Sequence, residues 1–276
     1  MRLLGINTDS VRGQRVTQSG CKFSFTNVST ITLTPDGIDG NAQIITSGTF
    51  ASNTNTLSSV TLTGSLTCNL SSSGGGGLDT GSKAASKGYY VFVVTKDSTY
   101  DAPLLLASLS ETGPTMPSGY TYRSDPVWFI STDATGPAGD VRDFTDVNGN
   151  CFYTKVGDAQ VLVDGMSTSW AAVDCSVVAP NKSRAWFKSR SRAKSTSVWN
   201  TINIHTNGSD ATSGFRTIWH VNVIRNANGG PGSQQQWEHP MVDAATSVYY
   251  HWTTAPGSGG SYPPVFHIWI RGWTLL

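Results

Sequence analysis

Gly88-Tyr89-Tyr90-Val91-Phe92-Val93-Val94 decides the fold class, because every residue after its glycine is aromatic or β-branched. Such a run is apolar on both faces, so it belongs inside a sheet and is covered on both sides. Working outward, Leu104 to Leu109 reads as a second strand, Pro114 to Gly119 as a turn, Trp128 to Ser131 as a strand, and Asp146 to Asn150 as a turn before Cys151-Phe152-Tyr153. Upstream, Ser71 to Gly77 (SSSGGGG) reads as a flexible low-complexity loop. Before it, Cys21, Phe23 and Phe25 alternate with Lys22, Ser24 and Thr26, and Thr30 to Leu33, Ala42 to Ile45, Thr56-Leu57 and Val60 to Thr63 continue the period-two pattern. Pro35-Asp36-Gly37 and Asp39-Gly40-Asn41 punctuate these strands at a spacing near ten residues. No apolar period of 3.6 residues persists for three turns.

The composition agrees with this reading. The 276 residues include 34 Ser, 33 Thr and 29 Gly, about a third of the chain, while only 13% are charged. These are strand and turn formers, and helix formers are scarce. No stretch reaches 18 uninterrupted apolar residues, so no membrane insertion is expected, and the start MRLLGINTDSVRGQR turns polar too soon for a secretory leader. Cys21, Cys68, Cys151 and Cys175 lie at least 24 residues apart with no C-x-x-C spacing, which favours free buried thiols over zinc ligation, although two disulfides are compatible with the spacing.

The net charge of +1 hides an asymmetry, with a balance of −3 over residues 1–160 and +4 over residues 161–276. Eight of nine Trp and all five His also fall after residue 160. In that half, Val161 to Val163, Trp170 to Val178, Val198 to Ile204, Phe215 to Ile224, Ser247 to Thr253 and Val265 to Trp273 read as strands, and the alternation within Phe215 to Ile224 is the patterning of a sandwich with one packed and one wet face.

Little in the chain suggests catalysis. No nucleophile elbow, zinc-protease, Walker or dinucleotide motif occurs, so neither an enzymatic activity nor a cofactor or metal is expected. Asp36, Asp39, Asp133, Asp140, Asp143 and Asp146 sit among Gly and Asn, where carboxylates serve as backbone acceptors, and Asp140 to Asn150 lacks the oxygen spacing of a calcium loop.

The strongest chemical signal is Asn181 to Lys194, NKSRAWFKSRSRAK. In a strand, Lys182, Arg184, Lys188, Arg190, Arg192 and Lys194 project from one face with Trp186 among them. This is either a cationic ribbon for an anionic partner or an edge strand guarded by charge against aggregation. Likewise, Trp186, Trp199, Trp237, Trp252, Trp269 and Trp273 are either stacking platforms for sugar rings or parts of a core or subunit interface.

One stretch resembles a known family. Gly77-Leu78-Asp79-Thr80-Gly81-Ser82, the strand Gly88 to Val94, the strand Leu104 to Leu109, Pro114-Thr115-Met116-Pro117-Ser118-Gly119-Tyr120-Thr121-Tyr122-Arg123, Ile130-Ser131-Thr132-Asp133 and a terminal Arg271-Gly272-Trp273 occur in the order of tailed-bacteriophage fibre-like virion proteins. Ser124-Asp125-Pro126 departs from that pattern and implies that the following strand either starts later or is re-aimed. The resemblance implies a trimeric β-rich surface protein, a tail or head fibre, with no catalytic residues to carry over.

Together these readings give an all-β chain with two β-sandwich, jelly-roll-like domains in tandem (residues 20–160 and 161–276) behind an extended arm (residues 1–19), assembled as a homotrimer. The expected function is that of a virion structural protein, assembled in the host cytoplasm and displayed on the virion surface. In this reading Arg2, Leu3, Leu4, Arg12 and Arg15 anchor it to other virion proteins, and residues 182–194 meet host-envelope glycan or lipopolysaccharide rather than nucleic acid. The alternative is a capsid decoration protein that stabilises the head shell.

Overall fold

The computed structural model describes residues 17–36, 42–46, 58–96, 102–155, 159–181, 183–192, 200–205, 219–223, 235–244, 247–252 and 265–275. The chain is all-β. In order, its strands are β1 (Thr17–Ser19), β2 (Cys21–Asn27), β3 (Thr30–Pro35), β4 (Ala42–Thr46), β5 (Ser58–Leu62), β6 (Leu66–Asn69), β7 (Gly88–Thr95), β8 (Leu104–Ser108), β9 (Tyr122–Arg123) and β10 (Trp128–Ser131). They continue with β11 (Phe144–Val147), β12 (Asn150–Tyr153), β13 (Gln160–Leu162), β14 (Ala171–Asp174), β15 (Ser183–Arg192), β16 (Asn200–His205), β17 (Trp219–Val223), β18 (Gln235–Ala244), β19 (Ser247–Trp252) and β20 (Val265–Leu275).

Among the described residues the dominant element is a nine-stranded antiparallel sheet in the order β18-β15-β20-β12-β11-β2-β3-β6, with β13 also on β20. Two smaller sheets, β10-β7-β8 with β9 and β14-β19-β16-β17, contribute to the same core, and β1-β4-β5 forms a fourth sheet. The nine-stranded sheet is amphipathic in the way that strand alternation dictates. Phe23, Ile31, Leu33, Cys151, Ala185, Phe187, Ile268, Ile270 and Trp273 are buried, while Ser24, Thr67 and Thr145 on the other face are exposed.

Trp128 of β10 is where the layers meet. Its ring stacks on Phe23 at 4.6 Å and packs against Trp273 at 4.8 Å and Phe144 at 5.5 Å. Phe129 meets the same Trp273 edge-on at 6.0 Å. Further along β20, Phe266 packs against Tyr250 at 5.4 Å and Trp252 at 6.5 Å. Each large apolar side chain removed from water contributes about 1.5–3 kcal/mol. Among the described residues the buried indole N–H of Trp128 has no acceptor, which costs about 1–3 kcal/mol against that gain.

The division expected at residue 160 falls inside this assembly. β12 and β13, on either side of that position, both pair with β20, and Phe23, Trp128, Phe266 and Trp273 share one buried cluster. The two segments thus share a sheet and a core instead of forming separate sandwiches. At eleven residues β20 is long enough to pair with β12, β13 and β15 along its length. The expected arm also ends earlier than residue 19, since Thr17–Ser19 pairs with β4; the anchor residues Arg2, Leu3, Leu4, Arg12 and Arg15 lie outside the described residues.

The GYYVFVV run has neighbours on both edges and cover on both faces, as its composition demands. β7 lies between β8 and the β9/β10 pair. Tyr89, Val91 and Val93 enter the main core, while Phe92 and Val94 join Leu106 in a second cluster covered by Met116 and Tyr120. The Arg123 guanidinium lies 5.7 Å from the Phe92 ring centroid. At the departure from the family pattern, Ser124 replaces a ladder residue: its N–H donates to Val93 O at 2.8 Å and its Oγ accepts from Val93 N–H at 2.9 Å. The ladder resumes only at Trp128.

Two local signals have clear physical grounds. Asn148 and Gly149 both have positive φ, 54° and 80°, and Val147 pairs with Asn150, the two-residue hairpin geometry that Asn-Gly favours. SSSGGGG, by contrast, is not a free loop. Gly76 N–H donates to Leu105 O at 2.9 Å, Ala107 N–H to Gly77 O at 2.9 Å and Gly74 N–H to Leu78 O at 2.7 Å, so the segment is wired to β8. Its glycines are used for backbone shape: Gly74 and Gly76 have positive φ, and a Cβ on Gly77 would fall on the Ser72 carbonyl.

If one core serves both segments, Trp273→Ala lowers stability by about 3–5 kcal/mol in urea unfolding. It also lowers hydrogen-exchange protection in β2 together with β20. Loss confined to the second half would mean that the cores are independent.

Candidate functional site

β15 is an interior strand. β18 pairs along one edge and β20 along the other, so its charges do not guard an unpaired edge. That removes one of the two explanations for the basic run. Ser183, Ala185, Phe187 and Ser189 are buried, and Trp186 and Lys188 sit half-buried on the opposite face. Both partners carry a register shift beside Trp186 and Phe187. Pro240 lies at the shift in β18, where a missing N–H is tolerated.

Cross-strand register sets the neighbours of each cation. Arg184 lies opposite Asp243 on β18, and Lys188 opposite Glu238. Arg190 lies opposite Gln236 and His267, and Arg192 opposite Val265. Cβ atoms of such pairs are about 4.5–5.5 Å apart, and opposite charges there attract. The row is therefore not a uniform ribbon: among the described residues, acids stand across from Arg184 and Lys188, while Arg190 has Gln236 and His267 across from it, the histidine itself beside Asp164. Lys182 and Lys194 lie outside the described residues.

Aromatic groups complete the face. Phe152 of β12 and Trp186 of β15 both lie opposite Gly272 of β20, and their rings meet at 4.9 Å over it. A Cβ at 272 would fall on the Cys151 carbonyl oxygen, so only glycine allows β12 and β20 this approach. One row further on, Trp269 lies opposite both Lys188 and Gln160, with the His267 ring 5.4 Å away. Gln160 Nε2 lies 3.0 Å from His267 Nδ1 and donates to Leu162 O at 3.1 Å, and His267 Nε2 faces Asp164 Oδ1 at 3.6 Å. The histidine is thus held from both ring nitrogens. Phe152, Gln160, Asp164 and His267 join the face only through pairing with β20, which no local pattern announces.

The remaining tryptophans divide. Trp252 and Trp273 are core residues, and Trp252 Nε1 donates to Gly165 O at 3.0 Å. Trp199 lies outside the described residues, and Trp237 is placed only by the register of β18.

The carboxylates in the turns hold backbone. Asp133 accepts from the N–H groups of Thr135 and Asp140, both at 2.8 Å. Burial opposes its charged form, but these bonds, the Thr135 hydroxyl and the Arg142 charge outweigh burial and lower its pKa. Asp146 accepts from Phe23 N–H at 2.9 Å and Gly149 N–H at 2.8 Å, and there burial wins and raises the pKa. Asp79 explains the family-like motif: it accepts from Ser108 Oγ at 2.8 Å and Thr115 N–H at 3.0 Å, tying GLDTG to the start of PTMPSGY. Among the described residues no group of three His, Cys, Asp or Glu side chains converges on a point. None of the four cysteines is in a disulfide, and burial pushes Cys21 up to about 11 and Cys68 and Cys175 up to about 12, which makes these thiols poor nucleophiles.

No protein-family model matches the chain, and no curated protein sequence matches it.

Asp146→Ala strands two backbone N–H groups and costs about 1–3 kcal/mol in urea unfolding. Because the folded-state pKa is raised, the wild-type advantage is largest below the unfolded-state pKa of an aspartate and narrows as pH rises through the folded-state value. An advantage that grows with pH would show that the two N–H bonds, not burial, dominate.

Proposed function

We propose that the chain is a virion structural protein of a tailed bacteriophage: a homotrimeric surface fibre, held to the particle by its N-terminal residues and presenting the outer face of β15 and β20 to host-envelope glycan or lipopolysaccharide. The observation that carries this reading is the position of β15. A strand paired on both edges needs no charged guard, and among the described residues its register sets acids across from Arg184 and Lys188 alone of its four cations, which supports a use for the row toward something outside the sheet. The motif order from GLDTG to RGW, which resembles phage fibre proteins, supplies the virion context, and the charge-poor all-β build supports it. The reading requires no enzymatic step.

Cryo-electron microscopy of intact virions, with mass spectrometry of the same particles, tests it. A few trimers at the tail or on a head fibre are expected. Hundreds of copies on the head would make the chain a decoration protein instead, and absence from every particle would overturn the virion reading.

A further inference from the structure

We infer that the outer face of the nine-stranded sheet binds an uncharged, extended polysaccharide laid across its strands. One sugar ring rests on Trp186 and Phe152, and the units after it follow a line of hydroxyl groups. This deepens the proposed glycan-binding role and rests on the outer face being a ligand surface, but not on where the protein sits in a particle.

The register of successive strand pairs carries the inference. Trp186 of β15 lies opposite Gly272 of β20, Gly272 opposite Phe152 of β12, and Phe152 opposite Thr145 of β11. Thr145 in turn lies opposite Ser24 of β2, Ser24 opposite Thr32 of β3, and Thr32 opposite Thr67 of β6. Directly opposed residues share a face, so these positions form one continuous row over seven strands, about 29 Å long at about 4.8 Å per step. The row is open to solvent: Ser24, Thr67 and Thr145 are exposed, and Phe152, Trp186 and Thr32 are half-buried.

Its two ends offer different contacts. At one, the Trp186 and Phe152 rings meet at 4.9 Å over Gly272, which has no side chain to separate them, and give a joined aromatic surface. Such a surface takes the apolar face of a sugar ring at low entropic cost. At the other end, Thr145, Ser24, Thr32 and Thr67 set one hydroxyl on each successive strand. Hydroxyls both donate and accept, which matches the hydroxyl rim of a sugar. Strands hold these groups in place. The Thr32 hydroxyl shares a 2.8 Å hydrogen bond with that of Thr26, and Ser24 Oγ donates to Thr32 O at 3.4 Å, the support that a preorganised site requires.

Charge and length select the ligand class. No residue of the row is charged. Among the described side chains, charges stand only beside it, Lys188 and Arg271 near the aromatic end and Lys22 and Asp143 near the hydroxyl end, so no unbroken line of cations follows it for a polyanion. One strand step is close to the length of a pyranose unit in an extended glycan, so successive sugars meet successive strands. Neighbouring strands also turn by about 20–25°, which suits a single chain able to twist with the row. A short ligand would use the aromatic end and leave the hydroxyls unused.

Calorimetric titration of the full chain with cellohexaose, xylohexaose, laminarihexaose and mannohexaose, each beside its disaccharide, tests the proposal, with oligogalacturonate as the charged comparison. At least one neutral hexasaccharide is expected to bind, about tenfold or more tighter than its disaccharide, and to keep its affinity within about twofold as salt rises. Trp186→Ala should weaken binding about tenfold or more, while Trp186→Phe retains part of the affinity. Thr145→Val combined with Thr67→Val should weaken the hexasaccharide about fivefold or more and leave the disaccharide within about twofold. Valine suits a strand as well as threonine does and removes only the hydroxyl. Unchanged thermal melting of this double variant separates loss of binding from loss of fold.

Several results would overturn the proposal: no binding of any neutral hexasaccharide, equal affinity for hexasaccharide and disaccharide, preference for oligogalacturonate, or unchanged affinity in the double variant. Preference for oligogalacturonate would leave the proposed host-glycan role standing while removing this row as its site. Binding of a neutral glycan by a chain that is absent from virions would leave the row standing and remove the phage reading.

Discussion

The packing of Trp128 against Phe23, Phe144 and Trp273 is the constraint on which the rest depends. These four rings come from β10, β2, β11 and β20, strands separated by up to 250 residues, and they join the small sheet around β7 to the nine-stranded sheet. Trp273 and the inward residues Phe266, Ile268 and Ile270 are of opposite parity along β20, so the phase of the strand changes between them, at Arg271, and His267 and Trp269 take the outer face. A slip of one residue along the rest of the strand would exchange the two sets.

β15 takes its inner face from its pairing with β20. Ala185 lies opposite Trp273 and Phe187 opposite Ile270, so the apolar residues of the two strands share the inner face and Trp186 and Lys188 take the other. The register shift between those pairs would reverse the inside and outside of one strand if a residue were simply inserted. Here the extra residue is Arg271 on β20, a half-buried polar residue that the inner face does not require. Gly272 beside it lets the backbone of β12 close in and leaves room for Phe152 and Trp186 to meet above.

Local patterns identified local structure well. The covered strand at Tyr89 to Val94, the Asn-Gly hairpin at 148–149 and the alternation of Cys21 to Phe25 follow from propensity and turn chemistry that act over a few residues. Long-range pairing was not legible in this way. Nothing near residue 152 announces that Phe152 shares a row with Trp186, because that row exists only through a strand more than a hundred residues away. Composition misled at SSSGGGG for a related reason: glycine signals freedom in an isolated chain, but here it permits positive φ and close approach to β8. The burial alternation of Ser183 to Ser189 was legible as a period-two pattern, whereas the register neighbours of β15 were not.

Those partners change what the charges mean. Six cations counted along a sequence suggest a uniform field, but a sheet places each residue between two others whose charges are set by distant segments. Asp243 and Glu238 arrive on β18 at the positions of Arg184 and Lys188, so an acid stands across from each of those cations, a pairing worth about 0.2–1 kcal/mol to a sheet. The charge counted along a strand is thus not the charge of its row, because the register of a distant segment decides which cations have an acid across from them.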